Sequence, residues 1–227
     1  MHRLVHIGIL LSLITSASLA PLGSQTIDSL AFKDLQFRMV GPFRGGRSSA
    51  VTGFPADLDR WLMGTTGGGV WETTDNGISW RNISDGFFGG SIGAVRVADS
   101  DPNVIYVGQG SADIRGNTST GRGMWKSMDA GRTWTFIGLP EAGQIGRIEV
   151  HPDNHDLVYV AALGHPFGKN PERGIFRSGD GGETWNHVLA LNDSTGASDL
   201  TMDMVNPRIL YAGMWRGERK PWTLISG

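Results

Sequence analysis

An eight-residue segment occurs three times in the chain and constrains its fold more than any other feature. It reads TTDNGISW at 73–80, SMDAGRTW at 127–134 and SGDGGETW at 178–185. The aspartate of such a segment can accept hydrogen bonds from nearby backbone amides, and the glycine takes a positive φ at no steric cost. We therefore expect each copy to form a turn that leads into a β-strand.

The tryptophan that ends each copy is expected to anchor the turn. Burial of an indole ring contributes about 4–6 kcal/mol, at about 25 cal/mol per Å² over roughly 150–250 Å². One turn hydrogen bond contributes only about 1 kcal/mol. The predicted structural residues are Asp75, Gly77, Trp80, Asp129, Gly131, Trp134, Asp180, Gly182 and Trp185. Changes to the three aspartates should reduce stability, not activity.

The sequence around the three copies repeats as well. Asp75 and Asp129 are 54 residues apart, and Asp129 and Asp180 are 51 residues apart. Each copy follows an apolar strand pattern, a second strand pattern after an Asp/Pro/Asn turn and, before these, an alternating pattern such as SIGAVRVAD at 91–99. Four strands in a period of about 50 residues are typical of a propeller blade. The sequence predicts an all-β fold, a β-propeller of four-stranded antiparallel blades.

The repeat predicts three complete blades and part of a fourth. The complete blades are expected at about 44–86, 87–140 and 141–193, and the incomplete one at 194–227. Since closed rings typically have 4 to 8 blades, we expect the sequence to be part of a propeller of about 6–8 blades, or of a double propeller. A short strand at 37–40 is expected to complete the last blade, because closure removes exposed sheet edges.

The repeated segments resemble the Asp-box, or bacterial neuraminidase (BNR) repeat. Their spacing is similar to that in the propellers of sortilin-type receptor domains and xyloglucanase-type glycoside hydrolases. GPFRGGR at 41–47 resembles the start of long exported bacterial proteins described as sortilin-like glycosyl hydrolases. The resemblance covers the chain from about residue 35 onward and implies a β-propeller. It does not specify an activity, because function depends on a site and not on a fold.

The N-terminal sequence predicts export. MHRLVHIGILLSLITSASLA at 1–20 has His2 and Arg3 ahead of an apolar run and then small residues. This pattern is typical of a secretory signal peptide, and the apolar run is too short for a membrane span. The alternative is that residues 1–20 form an N-terminal membrane anchor that is never removed. Residues 21–36 are expected to be a lead-in or linker. The absence of cysteine excludes disulfides and thiol catalysis and favours an exported bacterial protein, periplasmic, cell-surface or extracellular.

Charge and histidine spacing exclude several function classes. The formal net charge is −2 and charged residues make up 19% of the chain, which gives no electrostatic case for nucleic acid or an anionic membrane as partner. The histidines show no metal-like pairing, so we expect no metal site and no cofactor. The expected partners are a peptide or a glycan, besides the remaining blades of the same longer chain.

Long loops on one face of the propeller are predicted to carry the ligand-binding residues. In a blade, the loop between the second and third strands lies at the mouth of the central channel, opposite the Asp-box turns. These loops include residues 109–121 and 164–173, and a third loop that opens with residues 215–222. Irregular loops on a rigid scaffold commonly carry function, and Trp and Arg dominate recognition patches. The predicted ligand-binding residues are Arg44, Arg47, Arg115, His165, Arg173, Trp215, Arg216, Arg219 and Trp222.

Arg44 and Arg47 flank two glycines at the predicted channel mouth. Two guanidinium groups at this position can hold a carboxylate in bidentate fashion. The alternative is that they pair with Asp199 or Asp203 of another inner strand and only brace the ring. The long loops likewise have an alternative role, which is to pack on a neighbouring domain.

An enzymatic function would need two carboxyl groups around the scissile bond. The resemblance to xyloglucanase-type propellers implies a catalytic aspartate after the second strand of the first blade, but Thr66 stands at the matching position in GTTGGG at 64–69. A hydroxyl cannot act as a general acid at neutral pH. Asp113 and Glu218 are the remaining candidate catalytic residues in this sequence, and further carboxylates would have to come from other blades.

The sequence thus predicts an exported propeller that binds a peptide or a glycan at the channel mouth and on the long loops. Two alternatives remain open. One is a glycoside hydrolase whose carboxylates lie partly outside this sequence, and the other is a structural scaffold in an exported complex.

Overall fold

The computed structural model describes residues 46–227. The strands are β1 (Ser48–Phe54), β2 (Asp57–Thr65), β3 (Val70–Thr73), β4 (Arg81–Asn82), β5 (Ile92–Val97), β6 (Ile105–Gln109), β7 (Met124–Ser127), β8 (Thr135–Phe136), β9 (Ile145–His151), β10 (Asn154–Ala162), β11 (Gly174–Ser178), β12 (Asn186–Leu189), β13 (Gly196–Met202), β14 (Leu210–Trp215), β15 (Gly217–Lys220) and β16 (Thr223–Ser226). Over this range no helix is long and apolar enough to cross a membrane. The predicted signal peptide, the linker, the closing strand at 37–40 and Arg44 lie outside the described residues.

The first twelve strands form three four-stranded antiparallel sheets. Their orders are β1-β2-β3-β4, β5-β6-β7-β8 and β9-β10-β11-β12, and β13 pairs with β14 in a further sheet. The first strands of the four units, β1, β5, β9 and β13, contact one another in sequence, so the sheets fan out from a shared inner side. This is part of a β-propeller with four-stranded antiparallel blades, which confirms the fold class predicted from the repeat.

Each inner strand carries a β-bulge near its beginning. The bulged residues are Ser49, Gly93, Gly146 and Ser198. A Cβ atom on Gly93 would collide with the carbonyl oxygen of Ile145, and one on Gly146 with that of Ser198. The Ser49 hydroxyl donates to the carbonyl oxygen of Ile92 at 2.5 Å. The inner strands therefore approach one another backbone to backbone at this end of the channel.

Apolar clusters between successive blades form the core. One cluster includes Leu62 of β2 and Val107 of β6, and joins the first blade to the second. Another includes Met124 of β7 and Val160 of β10, and joins the second blade to the third. A smaller cluster around Leu200 joins the third blade to β13 and β14. Each sheet therefore buries its apolar side chains against its neighbours, as repeat architectures require.

The repeated turns share one hydrogen-bond pattern, seen for example in the second copy. The Ser127 hydroxyl donates to the Asp129 carboxylate at 2.8 Å and accepts from the Gly131 amide at 2.8 Å. The Asp129 carboxylate accepts from the Thr133 amide at 2.8 Å and from the Thr133 hydroxyl at 2.6 Å. The other two copies repeat these bonds. Because hydrogen bonds favour the ionised form, those from Thr133 lower the pKa of Asp129 to about 2.

The tryptophans that end these turns join one blade to the blade before it. Trp134 is 6% exposed, and its Nε1 donates to the Ile83 carbonyl of the first blade at 2.9 Å. Trp185 donates in the same way to the Ile137 carbonyl of the second blade at 2.7 Å. Trp80 is 36% exposed, and its indole donates within its own turn at 3.2 Å. Within residues 46–227 no earlier blade is present to cover Trp80.

The segment after β14 differs from the predicted loop. Gly217–Lys220 and Thr223–Ser226 pair as the hairpin β15–β16, with Pro221 and Trp222 in its turn. The Arg219 amide donates to the carbonyl oxygen of Pro166 at 2.6 Å, which docks the hairpin on the third blade. The sequence does not show this hairpin because its first strand, GERK, lacks the alternation of apolar residues that marks a half-buried strand.

Candidate functional site

One end of the sheets carries the long loops. Because neighbouring strands are antiparallel, each inner strand begins at the end where the second strand of its blade finishes. We call this end the loop face, and it consists of residues 66–69, 110–123, 163–173 and 216–227 with the segments that precede the inner strands. The Asp-box turns connect the third and fourth strands at the opposite rim.

The 110–123 loop of the second blade reaches both the first blade and the fourth. Asn117 Oδ1 accepts a hydrogen bond from Arg47 Nη2 at 3.4 Å, just before β1 begins. Ile114 is buried and packs against Gly217 at the start of β15. The loop therefore crosses the mouth of the channel and brings two distant parts of the chain to one surface.

Arg47 and Arg219 approach this loop from different blades. Arg47 is exposed and bonds Asn117, whereas the half-buried Arg219 places its guanidinium against Gly116. Guanidinium groups offer several donors in a fixed plane, which suits paired oxygen atoms of a ligand. The two arginines and the loop between them form the candidate binding site at the channel mouth.

The candidate catalytic residues, Asp113 and Glu218, are the sequence neighbours of two residues that pack together, Ile114 and Gly217. Asp113 directly precedes Ile114 in the sequence, and Glu218 directly follows Gly217. Glu218 forms an ion pair with Lys220. The hydrogen bond from Lys220, helped by the charges of nearby arginines, holds the pKa of Glu218 below its usual range. Glu218 therefore favours the carboxylate, the form that accepts hydrogen bonds, and not the protonated form that a general acid needs.

Arg173 is buried, which differs from its predicted role as a ligand-binding residue. It is 1% exposed, and its guanidinium donates to the carbonyl oxygens of His165 at 3.0 Å, Gly168 at 3.2 Å and Gly217 at 3.2 Å. Burial lowers the pKa of Arg173, and the nearby carboxylates oppose that shift. The guanidinium stays cationic because the pKa of arginine is intrinsically high. Arg173 fastens the 163–173 loop to β15.

The other predicted ligand-binding residues differ in exposure. Trp222 is 82% exposed at the tip of the β15–β16 hairpin. Trp215 is half-buried and donates from Nε1 to a serine hydroxyl of β16 at 2.8 Å. Arg115 and Arg216 are exposed, and His165 is half-buried. A ligand on the loop face can reach Trp222, Arg115 and Arg216 without any rearrangement.

Thr66 lies beside Arg47 at the channel mouth. Its backbone amide donates to the Arg47 carbonyl oxygen at 2.9 Å, and the 66–69 loop carries no carboxyl group. Asp199, the alternative partner considered for Arg47, lies 4.0 Å from Arg147 Nε. The side chain of Arg47 is therefore directed to the 110–123 loop by its bond to Asn117.

The channel between the inner strands contains a cavity of about 270 Å³. Arg96 and Arg147 line it, and both are neutralised by neighbours on their own blades. Arg96 Nη2 lies 3.2 Å from Asp99, and Arg147 Nε lies 3.1 Å from Glu149. In the part of the chain that the structure describes, no group of three or more His, Asp or Glu side chains is placed to hold a metal ion.

A second cleft on the loop face was missed by the sequence reasoning. We call it the Phe87 cleft. It lies between the first and second blades and has a volume of about 430 Å³. Its walls are formed by residues 87–91, Gln109, Ser119, Thr120, Arg122 and Trp125. The run FFGG at 87–90, immediately before an inner strand, is the one sequence signal for this cleft. An aromatic pair ahead of a strand is otherwise indistinguishable from core.

Comparison with known protein families gives no match. One curated protein is similar over part of the chain, a xyloglucanase of Hypocrea jecorina (strain QM6a). It is 28% identical over 124 residues, a match that covers 48% of this chain and 14% of that protein. Sequence similarity thus relates one stretch of the chain to a glycoside hydrolase.

Solved structures share the fold. An ancestral GH74 enzyme matches with a TM-score of 0.60 at 20% identity, over 77% of this chain and 22% of that one. The GH74 enzyme of Niastella koreensis matches with a TM-score of 0.56 at 18% identity, over 73% of this chain and 28% of that one. At these identities the similarity establishes the fold, and the chain spans between 14% and 28% of the length of the three relatives.

Proposed function

We propose that the protein is an exported β-propeller that binds a glycan on its loop face. The observation that carries this proposal is the 110–123 loop, which lies across the channel mouth between Arg47 and the β15–β16 hairpin. The loop itself carries the exposed Arg115, and the hairpin that it contacts carries the exposed Trp222. Export is proposed from the signal-peptide pattern at 1–20.

Two features favour a glycan over a peptide as the ligand. The relative in sequence is a xyloglucanase, and exposed aromatic rings occur on the loop face at Phe87, Phe167 and Trp222. A sugar ring has an apolar face that packs on an aromatic ring, and its many oxygen atoms accept hydrogen bonds from arginine and asparagine. The loop face offers both kinds of contact.

We propose that residues 46–227 bind the glycan and do not cleave it. Glycoside hydrolysis needs a protonated acid and a second carboxylate on either side of the bond. Thr66 has no carboxyl group, and Lys220 keeps Glu218 ionised. Asp113 and Glu218 together can accept hydrogen bonds from sugar hydroxyls, but Glu218 does not supply the acid.

Affinity electrophoresis of the 227-residue chain in gels that contain soluble polysaccharides, xyloglucan among them, tests the proposal. We expect retardation by at least one polysaccharide and no release of reducing ends. Arg47→Ala and Arg219→Ala should each weaken binding by about tenfold to a hundredfold, because a hydrogen bond to a charged group contributes about 1.5–3 kcal/mol. Arg208→Ala, an exposed arginine in the turn between β13 and β14 at the opposite rim, is the matched control.

Two results would contradict the proposal. If both Arg47→Ala and Arg219→Ala bound as the unchanged protein does, the channel mouth would not be the binding site. If the protein bound peptides alone, or no polysaccharide at all, the ligand class would be wrong and the peptide or scaffold alternative would replace it.

A further inference from the structure

We infer that the Phe87 cleft binds a carboxylate-bearing sugar unit, a uronate, of the glycan. This ligand class extends the proposed glycan binding and depends on it. The cleft opens on the loop face, and Ser119 on its rim is two residues after Asn117, which bonds Arg47 at the channel mouth. A single glycan chain can therefore lie over both places.

The size and walls of the cleft suit one ring of a glycan. Its volume of about 430 Å³ is within the range of about 300–1,000 Å³ of small-molecule sites. Phe87 is 42% exposed at the cleft, so part of its ring is free to pack against a ligand. An apolar ring face on one side and polar loops on the other match the two faces of a pyranose.

The aromatic wall of the cleft is held in place before any ligand arrives. The Trp125 ring stacks on Phe88 with centroids 4.7 Å apart and an interplanar angle of 24°. Trp125 Nε1 donates to Gln109 Oε1 at 3.3 Å, and Gln109 Nε2 donates to the Gly89 carbonyl oxygen at 2.6 Å. A preorganised wall reduces the entropy lost on binding.

The charge of the cleft points to an anionic group on the ligand. Arg122 is exposed and lines the cleft, and no aspartate or glutamate lines it. Among residues 46–227 no carboxylate lies within 4.0 Å of the Arg122 guanidinium. Ser91 also lines the cleft, and its buried hydroxyl has no hydrogen-bond partner in this part of the chain. A carboxylate would pair with Arg122 in the bidentate geometry that guanidinium favours.

Two other cavities lack this combination. The channel cavity has two arginines, but each has a carboxylate beside it at 3.2 Å or less. The cleft of about 480 Å³ beside the third Asp box has Asp180 and Glu183 in its lining, which would repel an anion. Among these three cavities only the Phe87 cleft joins an exposed aromatic ring to an arginine without acidic neighbours.

Isothermal titration of the 227-residue chain tests the inference with three probes: oligogalacturonate, its methyl ester and a xyloglucan oligosaccharide. The acid and its ester share the same ring and differ in charge. We expect the acid to bind about tenfold more tightly than the ester, since charge-assisted hydrogen bonds are roughly twice as strong as neutral ones. Arg122→Gln should abolish this preference and Phe87→Ala should weaken both ligands. Arg208→Gln, in the turn between β13 and β14, should change neither.

Each alternative outcome separates the inference from the proposed function. Equal binding of acid and ester, or binding of the xyloglucan oligosaccharide alone, would overturn the uronate assignment and leave glycan binding intact. A preference for the acid that persists in Arg122→Gln would place the carboxylate outside the Phe87 cleft. Binding of none of the three probes, nor of any polysaccharide in the gels, would reject both. Thermal melting of each variant confirms that it is folded.

Discussion

Trp134 and Trp80 occupy equivalent positions in two copies of the same turn, yet only Trp134 is buried. Its indole donates to the Ile83 carbonyl oxygen of the preceding blade at 2.9 Å, whereas the Trp80 indole bonds within its own turn. The stabilising effect of the repeated tryptophan therefore comes from a neighbouring blade and not from the turn that contains it.

Replacement of these two tryptophans should have unequal effects. Trp134→Ala is expected to lower the free energy of unfolding by about 3–5 kcal/mol, the usual loss for a buried aromatic ring. Trp80→Ala should cost less than half as much, because this ring is 36% exposed and loses less apolar burial. Urea denaturation of both variants measures the difference, and equal losses would contradict the assignment of Trp134 as an inter-blade residue.

Asp129 should make stability depend on pH in the acid range. Its pKa is lowered from 3.8 to about 2, chiefly by the Thr133 hydroxyl and amide. The folded state therefore favours the carboxylate, so its contribution is full above pH 3.8 and is lost as the pH falls toward 2. We expect Asp129→Asn to be less stable than the unchanged protein at neutral pH, with a difference that shrinks across this range.

Urea denaturation at a series of pH values measures that difference. Asp85→Asn removes an exposed carboxylate outside the repeated turns and serves as the control. A difference between Asp129→Asn and the unchanged protein that stayed constant from neutral pH down to pH 2 would show that ionisation of Asp129 does not contribute.

The inner strands approach one another backbone to backbone, at Gly93 and at Gly146. Bulges at equivalent positions of β1, β5, β9 and β13 place small residues where one strand meets the next. Bulges commonly occur at the rims of barrels and beside functional sites, where they redirect side chains. In this protein Ser49, Gly93 and Gly146 line the cavity of the channel.

A side chain at the bulge of β5 should disrupt this contact. Gly93→Ala would drive a methyl group into the Ile145 carbonyl oxygen and is expected to cost about 2–3 kcal/mol of stability, as overpacking does. Gly89→Ala is the matched control, because a Cβ at Gly89 would have no atom within 4 Å. Its stability should change by less than about 0.5 kcal/mol. Urea denaturation compares the two, and a neutral Gly93→Ala would argue against the close approach.

At the level of the whole molecule, the described blades expose apolar side chains at both ends of the fan. The first blade exposes Leu58, Ile78 and Trp61, and the fourth exposes Val205 and Tyr211. The inner blades bury the corresponding surfaces against each other. Exposed apolar patches of this kind favour association.

The 227-residue chain is therefore expected to self-associate as its concentration rises. Sedimentation velocity over a range of concentrations measures the change in mass. The double change Leu58→Asp and Ile78→Asp should reduce association, because it places charges on the exposed face of the first blade. A chain that stayed monomeric at all concentrations would show that these faces are covered.

The all-β propeller could be predicted because the repeat is local. The residues that shape each turn lie within eight positions of one another, so the pattern of aspartate, glycine and tryptophan reports the turn without reference to the rest of the chain. The absence of a carboxyl group at Thr66 was equally visible in the sequence. Among the predicted ligand-binding residues, Arg47 and Arg219 both contact the 110–123 loop. The sequence indicated this only in general terms, because it predicted that the long loops lie on one face.

The burial of Arg173, the packing of Ile114 against Gly217 and the Phe87 cleft depend on the tertiary structure alone. Arg173 donates to a carbonyl 44 residues away, and the walls of the cleft come from two different blades. A repeat specifies the hydrogen bonds inside a turn, since these depend on neighbouring residues. Apart from the bonds of the repeated tryptophans, the contacts between blades depend on how separately formed sheets and loops pack, and the repeat does not encode them.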